Sequence, residues 1–110
     1  MEMATNVYRA TAQFPREEIY GLTSQLRRAA AAVPSDIAEG KGRLSKKEFI
    51  QMLARARGSG CEVETQLELS KRLGFLQESA FAPLAAECSE VGRLLNGLIK
   101  SLQRSLRADS

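Results

Sequence analysis

The side chains of this sequence that could do covalent or metal chemistry are few. They are Cys61 and Cys88, the glutamates Glu62, Glu64 and Glu68, and the serines Ser24, Ser45, Ser59 and Ser70. Histidine is absent, which removes the commonest general base and the commonest zinc ligand. Without it no serine or cysteine has an imidazole to activate it. Glu64 and Glu68 stand four apart and share a helix face. A carboxylate-bridged di-iron bundle, however, draws its ligands from Glu-x-x-His pairs. With Arg57, Lys71 and Arg72 close by, these glutamates read as ion-pairing or surface residues. Two widely separated cysteines make no metal knuckle. Both fall among helical apolar positions and are expected to be buried free thiols in a reducing cytoplasm. The expectation is therefore no catalytic residue, no metal, no cofactor and no enzyme.

Cations form the more informative pattern. Sixteen basic and thirteen acidic residues give a net charge of +3, but they are unevenly placed. Residues 27–57 hold eight basic groups (Arg27, Arg28, Lys41, Arg43, Lys46, Lys47, Arg55 and Arg57) against three acidic ones. Residues 58–92 are acidic, and residues 93–110 are basic again. The Gly40/Gly42 turn gathers Lys41, Arg43, Lys46 and Lys47 at one place. Antiparallel packing of the last helix would bring Arg104 and Arg107 there too. Such a cluster binds phosphates without reading bases, so RNA or DNA is the expected ligand. In the alternative, the acidic block of residues 58–92 neutralises the cluster and the chain is a protein–protein scaffold. Gly40-Lys41-Gly42 is not a phosphate-binding loop, because the full GxxxxGK[ST] pattern and a preceding strand are missing.

The elements that would position these groups are helical. A repeat of 3.6 runs through nearly all 110 residues, with no strand-like alternation against it. A first short helix spans about 3–12, and Phe14-Pro15 ends it. A second is expected over 15–39, carrying Ile19, Leu22, Leu26, Ala29 and Val33, kinked at Pro34 and resumed in phase at Ile37. Ser45-Lys46-Lys47-Glu48 has the form of a capping box opening a third helix over 45–73. Its seam is Phe49, Leu53, Ala56, Gly60, Val63, Leu67 and Ser70, and Gly74 should stop it. A fourth helix over 77–107 carries Phe81, Leu84, Cys88, Val91, Leu95, Leu98 and Leu102, with Leu94, Ile99 and Leu106 widening the stripe. The sum is one all-α domain, residues 1–110, an antiparallel up-down-up-down four-helix bundle with a short first helix.

Two features of this layout bear on assembly. Gly58 and Gly60 inside the third helix each cost about 1 kcal/mol relative to Ala. Close approach of a facing helix would account for Gly60, and a second close contact, as across subunits, or a local bend for Gly58. These glycines and Pro34 are therefore assigned to helix packing. A short first helix would also leave apolar surface of its neighbours uncovered, which predicts self-association. No stretch is long and apolar enough to cross a membrane, and no secretion signal is visible, so a cytoplasmic location is expected.

Two long runs carry a family resemblance: FPREEIYGLTSQLRRAAAAVPSDIAEG, residues 14–40, and LSKKEFIQMLARARGSGCEVETQLELSKRLGFL, residues 44–76. The order of GLTSQLRRAA, VPSDIAEG, EFI, ARGS, ETQL and RLG resembles the bacterial four-helix bundle family encoded in 23S ribosomal RNA intervening sequences, and the likeness extends over residues 7–102. It implies an antiparallel bundle that assembles as a homopentamer. The family is in turn similar to the accessory protein of diversity-generating retroelements, which implies RNA and a reverse transcriptase as partners. On this chain Arg27, Arg28, Arg55 and Arg57 match the family's basic positions. Pro34, Ile37, Ala38, Glu39 and Gly40 match its kink and turn, and Glu62, Glu64 and Gln66 its polar set on the third helix. Members usually carry a longer first helix, and Asp36 stands where Asn is usual.

Overall fold

In a computed structural model, residues 2–109 are described, and every regular element among them is helical. Helix α1 spans Glu2–Thr11, α2 Leu22–Lys41, α3 Lys46–Arg72 and α4 Glu78–Ala108, with a single 3₁₀ turn at Arg16–Glu18. Helix α2 packs on α3, α3 on α4, and α1 lies between α2 and α4. This is an up-down-up-down bundle with α1 and α3 on its diagonal, drawn out to 52 × 23 × 18 Å. Its centre is aliphatic: Val7, Leu26, Leu53, Val63 and Leu67 are fully enclosed. Phe14 and Phe75 close one end, their ring centroids 5.8 Å apart.

The second helix starts seven residues later than the periodicity suggests. Pro15 leads into the 3₁₀ turn instead, and α2 begins at Leu22, whose amide donates to the Glu18 carboxylate at 3.2 Å. Ile19, read as the first residue of the buried face, is 56% exposed. Burying Phe14 against Phe75 turns the chain here, and Gly21 breaks helical geometry cheaply, with φ −113° and ψ −113°. Downstream, α2 runs through Pro34 to Lys41. Gly40, which the sequence suggests as a terminator, lies inside the helix because the backbone of α3 comes close. A Cβ there would stand 2.7 Å from Phe49 Cδ1 and 3.0 Å from Met52 Cβ.

Helix α3 is bounded by local chemistry. The Ser45 hydroxyl accepts from the Glu48 amide at 3.1 Å, the first half of a capping box. The Glu48 carboxylate accepts a hydrogen bond from the Ser45 hydroxyl, at 3.2 Å, rather than from the Ser45 backbone amide. At the other end Gly74 adopts φ +82°. Its amide donates to Lys71 O at 3.0 Å and that of Phe75 to Ser70 O at 2.9 Å, a Schellman cap.

Helix α1 has 10 residues against 27 in α3 and 31 in α4. At about 1.5 Å per residue it covers roughly 15 Å of a bundle more than twice as long. Arg27 ties it down: its Nε donates to Thr11 Oγ1 at 2.8 Å, its Nη2 to Tyr8 O at 3.2 Å, and its guanidinium lies 4.8 Å from the Tyr8 ring centroid. Asn6 Nδ2 adds a bond to Glu87 Oε2 at 2.8 Å. Beyond the start of α1 the apolar stripe of α4 faces water, with Leu94 65% and Leu98 39% exposed, while Ile99 is buried.

Candidate nucleic-acid interface

The α2–α3 turn places Lys41, Arg43, Lys46 and Lys47 at the end of the bundle that α1 does not reach, all four exposed. The C-terminus of α4 arrives at the same end. Lys46 Nζ donates to Ser105 Oγ at 2.6 Å and pairs with Asp109 at 2.7 Å. Arg104 and Arg107, in the last turns of α4, therefore join the cluster, where cations also suit the negative end of the helix dipole. Arg43 is engaged by Glu39, one turn back, and faces Glu48 at 3.7 Å. The hydrogen bond that Arg43 donates to the Glu39 carboxylate raises the Arg43 pKa above its ordinary value, so this group stays charged. Lys41, Lys47 and Arg104 make no ion pair with any of the described residues. Arg43 and Lys46 pair with Glu39, Glu48 and Asp109, none of them from the acidic block of residues 58–92.

The other four basic candidates are elsewhere. Arg27 is half-buried and engaged with α1, so its charge serves the fold. Arg57 Nη1 donates to Asn96 Oδ1 at 2.8 Å and joins α3 to α4. Arg28 and Arg55 are exposed along the sides. Arg28 lies thirteen residues before Lys41 on α2, about 20 Å along the axis. The structure thus brings together Lys41, Arg43, Lys46, Lys47, Arg104 and Arg107, and separates them from Arg27, Arg28, Arg55 and Arg57.

Among the carboxylates, Glu68 pairs with Lys71 at 3.7 Å and Arg72 at 3.2 Å. Glu62 and Glu64 are exposed. No group of three potential metal ligands occurs among the described residues. Cys61 and Cys88 are free thiols, but only Cys88 is buried. Cys61 is exposed because it sits one residue, about 100°, past the Gly60 seam position. Both sulfur-bearing residues line a cleft of about 330 Å³ between α3 and α4. Burial, with Glu64 and Glu87 adding to it, pushes the Cys88 thiol up to about 12, which keeps it protonated and unreactive. The packing role assigned to Gly58 and Gly60 does not hold within the chain: a Cβ at either position would meet no atom within 4 Å. Seam periodicity marks Gly60 as inward-facing, but α4 has its own glycine, Gly92, lining the same cleft, so the two helices leave space there.

The sequence matches the family profile described as 23S rRNA-intervening sequence protein over residues 1–97, and the chain belongs to that family. Its fold is similar to a crystal structure of a protein with unknown function from the S23 ribosomal protein family of Bacteroides thetaiotaomicron. The TM-score is 0.81 at 22% identity, covering 90% of this chain and 93% of that one. No curated protein matches the sequence.

Proposed function

We propose that this member of the 23S rRNA-intervening sequence protein family is a non-catalytic, self-associating bundle of the cytoplasm that holds RNA or DNA by its phosphates. One observation carries the reading: Lys41, Lys47 and Arg104 stand without ion-pair partners among the described residues, at an end of the bundle where Lys46 draws the α4 terminus against α3. Had the acidic block of residues 58–92 covered these cations, a scaffold role would be favoured instead. Self-association is supported by large apolar side chains left exposed in the turn before α2 and in the last turns of α3. Tyr20 is 95% exposed, and Ile19, Leu69 and Leu73 are exposed as well. Five copies, the number the family resemblance implies, would repeat the basic end five times and raise avidity without any base-specific contact. A reverse transcriptase is the protein partner to which the same resemblance points.

The test is binding of a labelled single-stranded RNA, followed by anisotropy across salt concentrations. About three phosphate contacts per subunit give a slope of log K against log salt near −2. Replacing Lys41, Arg43, Lys46 and Lys47 together with Gln should flatten that slope and weaken binding to all sequences alike. Light scattering on the same samples should give a mass near five times 12.1 kDa. Unchanged binding by the four-residue variant would remove the basic end from the mechanism.

A further inference from the structure

Lys46 and Arg57 stand about three turns apart on one face of α3, and both reach α4. Lys46 Nζ meets Ser105 Oγ at 2.6 Å, and Arg57 Nη1 meets Asn96 Oδ1 at 2.8 Å. Asn96 belongs in turn to an exposed stripe of α4: Arg93, Asn96, Lys100, Arg104 and Arg107, at steps of three and four. Arg93 and Arg57 line the same α3–α4 cleft, so this stripe borders α3. Lys100 thus puts a cation in the interval between Arg57 and the basic end. We propose that a single nucleic-acid strand lies along this α3–α4 edge, its phosphates passing from the basic end over Lys100 to Arg57 and Arg93. This path presupposes that the basic end holds nucleic acid, as proposed, and adds Arg57, Arg93 and Lys100 to it.

Charge favours the path and also ends it. From Arg93 to Arg107, α4 carries four cations and no acid. The facing residues 46–61 of α3 carry one acid, Glu48, which faces Arg43 of the α2–α3 turn. Lys100 and Arg104 make no ion pair among the described residues. Arg57 spends one N–H on Asn96, which holds its guanidinium against α4 and leaves the others for a phosphate. Acids border the path at its two ends. Asp109 pairs with Lys46 at one; Glu90 pairs with Arg93 at the other, where Glu64 also lines the cleft. Both pairs are exposed, and exposed pairs are weak enough for a phosphate to take the carboxylate's place. Beyond the cleft, Lys71 is paired with Glu68 and Glu78, and Arg72 with Glu68. No unpaired cation remains there among the described residues, so the path stops at the cleft, about 21 Å along α4 from Arg107. Between Arg93 and Arg107 α4 has no aromatic side chain for a base to stack on, so the strand is held by phosphates whatever its sequence.

The probe is labelled single-stranded RNA of mixed sequence, followed by anisotropy across salt with the full chain. The path adds about two phosphate contacts per subunit to the three of the basic end, so the slope of log K against log salt should steepen from about −2 to about −3.5. Arg93→Gln with Lys100→Gln should return it to about −2 and weaken binding at least tenfold at low salt. Arg28→Gln with Arg55→Gln removes the same charge away from the path and should change binding less than twofold. All four side chains are exposed, and circular dichroism should match that of the unaltered chain. A second measurement needs no variant: neutral iodoacetamide should modify Cys61, which lines the cleft, at least threefold more slowly when RNA is bound. The path is overturned if Arg93→Gln with Lys100→Gln binds as the unaltered chain does, if the two double variants lose equally, or if RNA leaves Cys61 alkylation unchanged. Poly-glutamate that binds as tightly as RNA, with the same loss in the Arg93 and Lys100 variant, would overturn it in favour of an acidic protein segment. Replacing Lys41, Arg43, Lys46 and Lys47 separates the two failures. Binding lost in that variant but kept without Arg93 and Lys100 removes the path and leaves the basic end standing; no RNA binding by the unaltered chain removes both.

Discussion

Substituting Ala at two glycines should move stability in opposite directions, and the sign at each position follows from one distance. Gly60 lies well inside α3, where Gly costs 0.5–1 kcal/mol relative to Ala through backbone entropy. The added Cβ would meet nothing within 4 Å, so no steric term opposes the gain. Gly60→Ala should stabilise by about 0.8 kcal/mol, which for a domain of this size raises Tm by about 3–5 °C. At Gly40 the same methyl would fall 2.7 Å from Phe49 Cδ1 and 3.0 Å from Met52 Cβ. Phe49 is only partly buried and can swing away, but Met52 Cβ is fixed to the α3 backbone. Gly40 is also the penultimate residue of α2, so little propensity is gained there. Overpacking of this kind costs about 1–3 kcal/mol, and Gly40→Ala should lower Tm by about 4–18 °C. The assay is thermal unfolding at 222 nm with all variants at one protein concentration, because the proposed self-association would make Tm depend on concentration. Masses should be measured on the same samples. A lower Tm or a smaller assembly for Gly60→Ala would show that another subunit packs on Gly60, and the open-space reasoning would fail. A neutral Gly40→Ala would refute the close approach of α2 and α3.

Three further expectations follow from local geometry. Ser45→Ala removes the acceptor of the Glu48 amide and should cost 0.5–2 kcal/mol in urea unfolding; no change would mean that Glu48 or water caps the helix as well. Arg27→Met removes the guanidinium's hydrogen bonds to Thr11 Oγ1 and the Tyr8 carbonyl, which keep their local partners, and should destabilise by about 1–3 kcal/mol. Amide exchange should accelerate selectively in α1, and unchanged protection there would show that α1 is held by its apolar face alone. An aromatic disulfide reagent should titrate Cys61 in the folded protein and Cys88 only on unfolding. The Cys88 thiol is raised from about 9 to about 12 on folding, so the unfolded chain loses this proton first and binds fewer protons over that interval. Stability should therefore fall as pH climbs from about 9 to 12. A Cys88→Ala variant with an equally steep alkaline slope would exclude the thiol as its cause.

Much of the bundle is written in short-range chemistry. The 3.6 period, the Ser45 cap, the Gly74 stop and the aliphatic seam each depend on residues within a turn or two. For that reason α3 and α4 lie within a residue of their expected ends. The gathering of Lys41, Arg43, Lys46 and Lys47 needs only a turn, and antiparallel order adds Arg104 and Arg107. Packing between distant segments decided the rest. Phe14 meeting Phe75 delayed α2 to Leu22, and Phe49 and Met52 required a glycine at 40. Thr11 and Tyr8 drew Arg27 out of the basic set, and a cleft shared with Gly92 left Gly60 unpacked. These outcomes turn on which atoms arrive opposite one another across helices tens of residues apart, and helical periodicity carries a residue's face but not its partner.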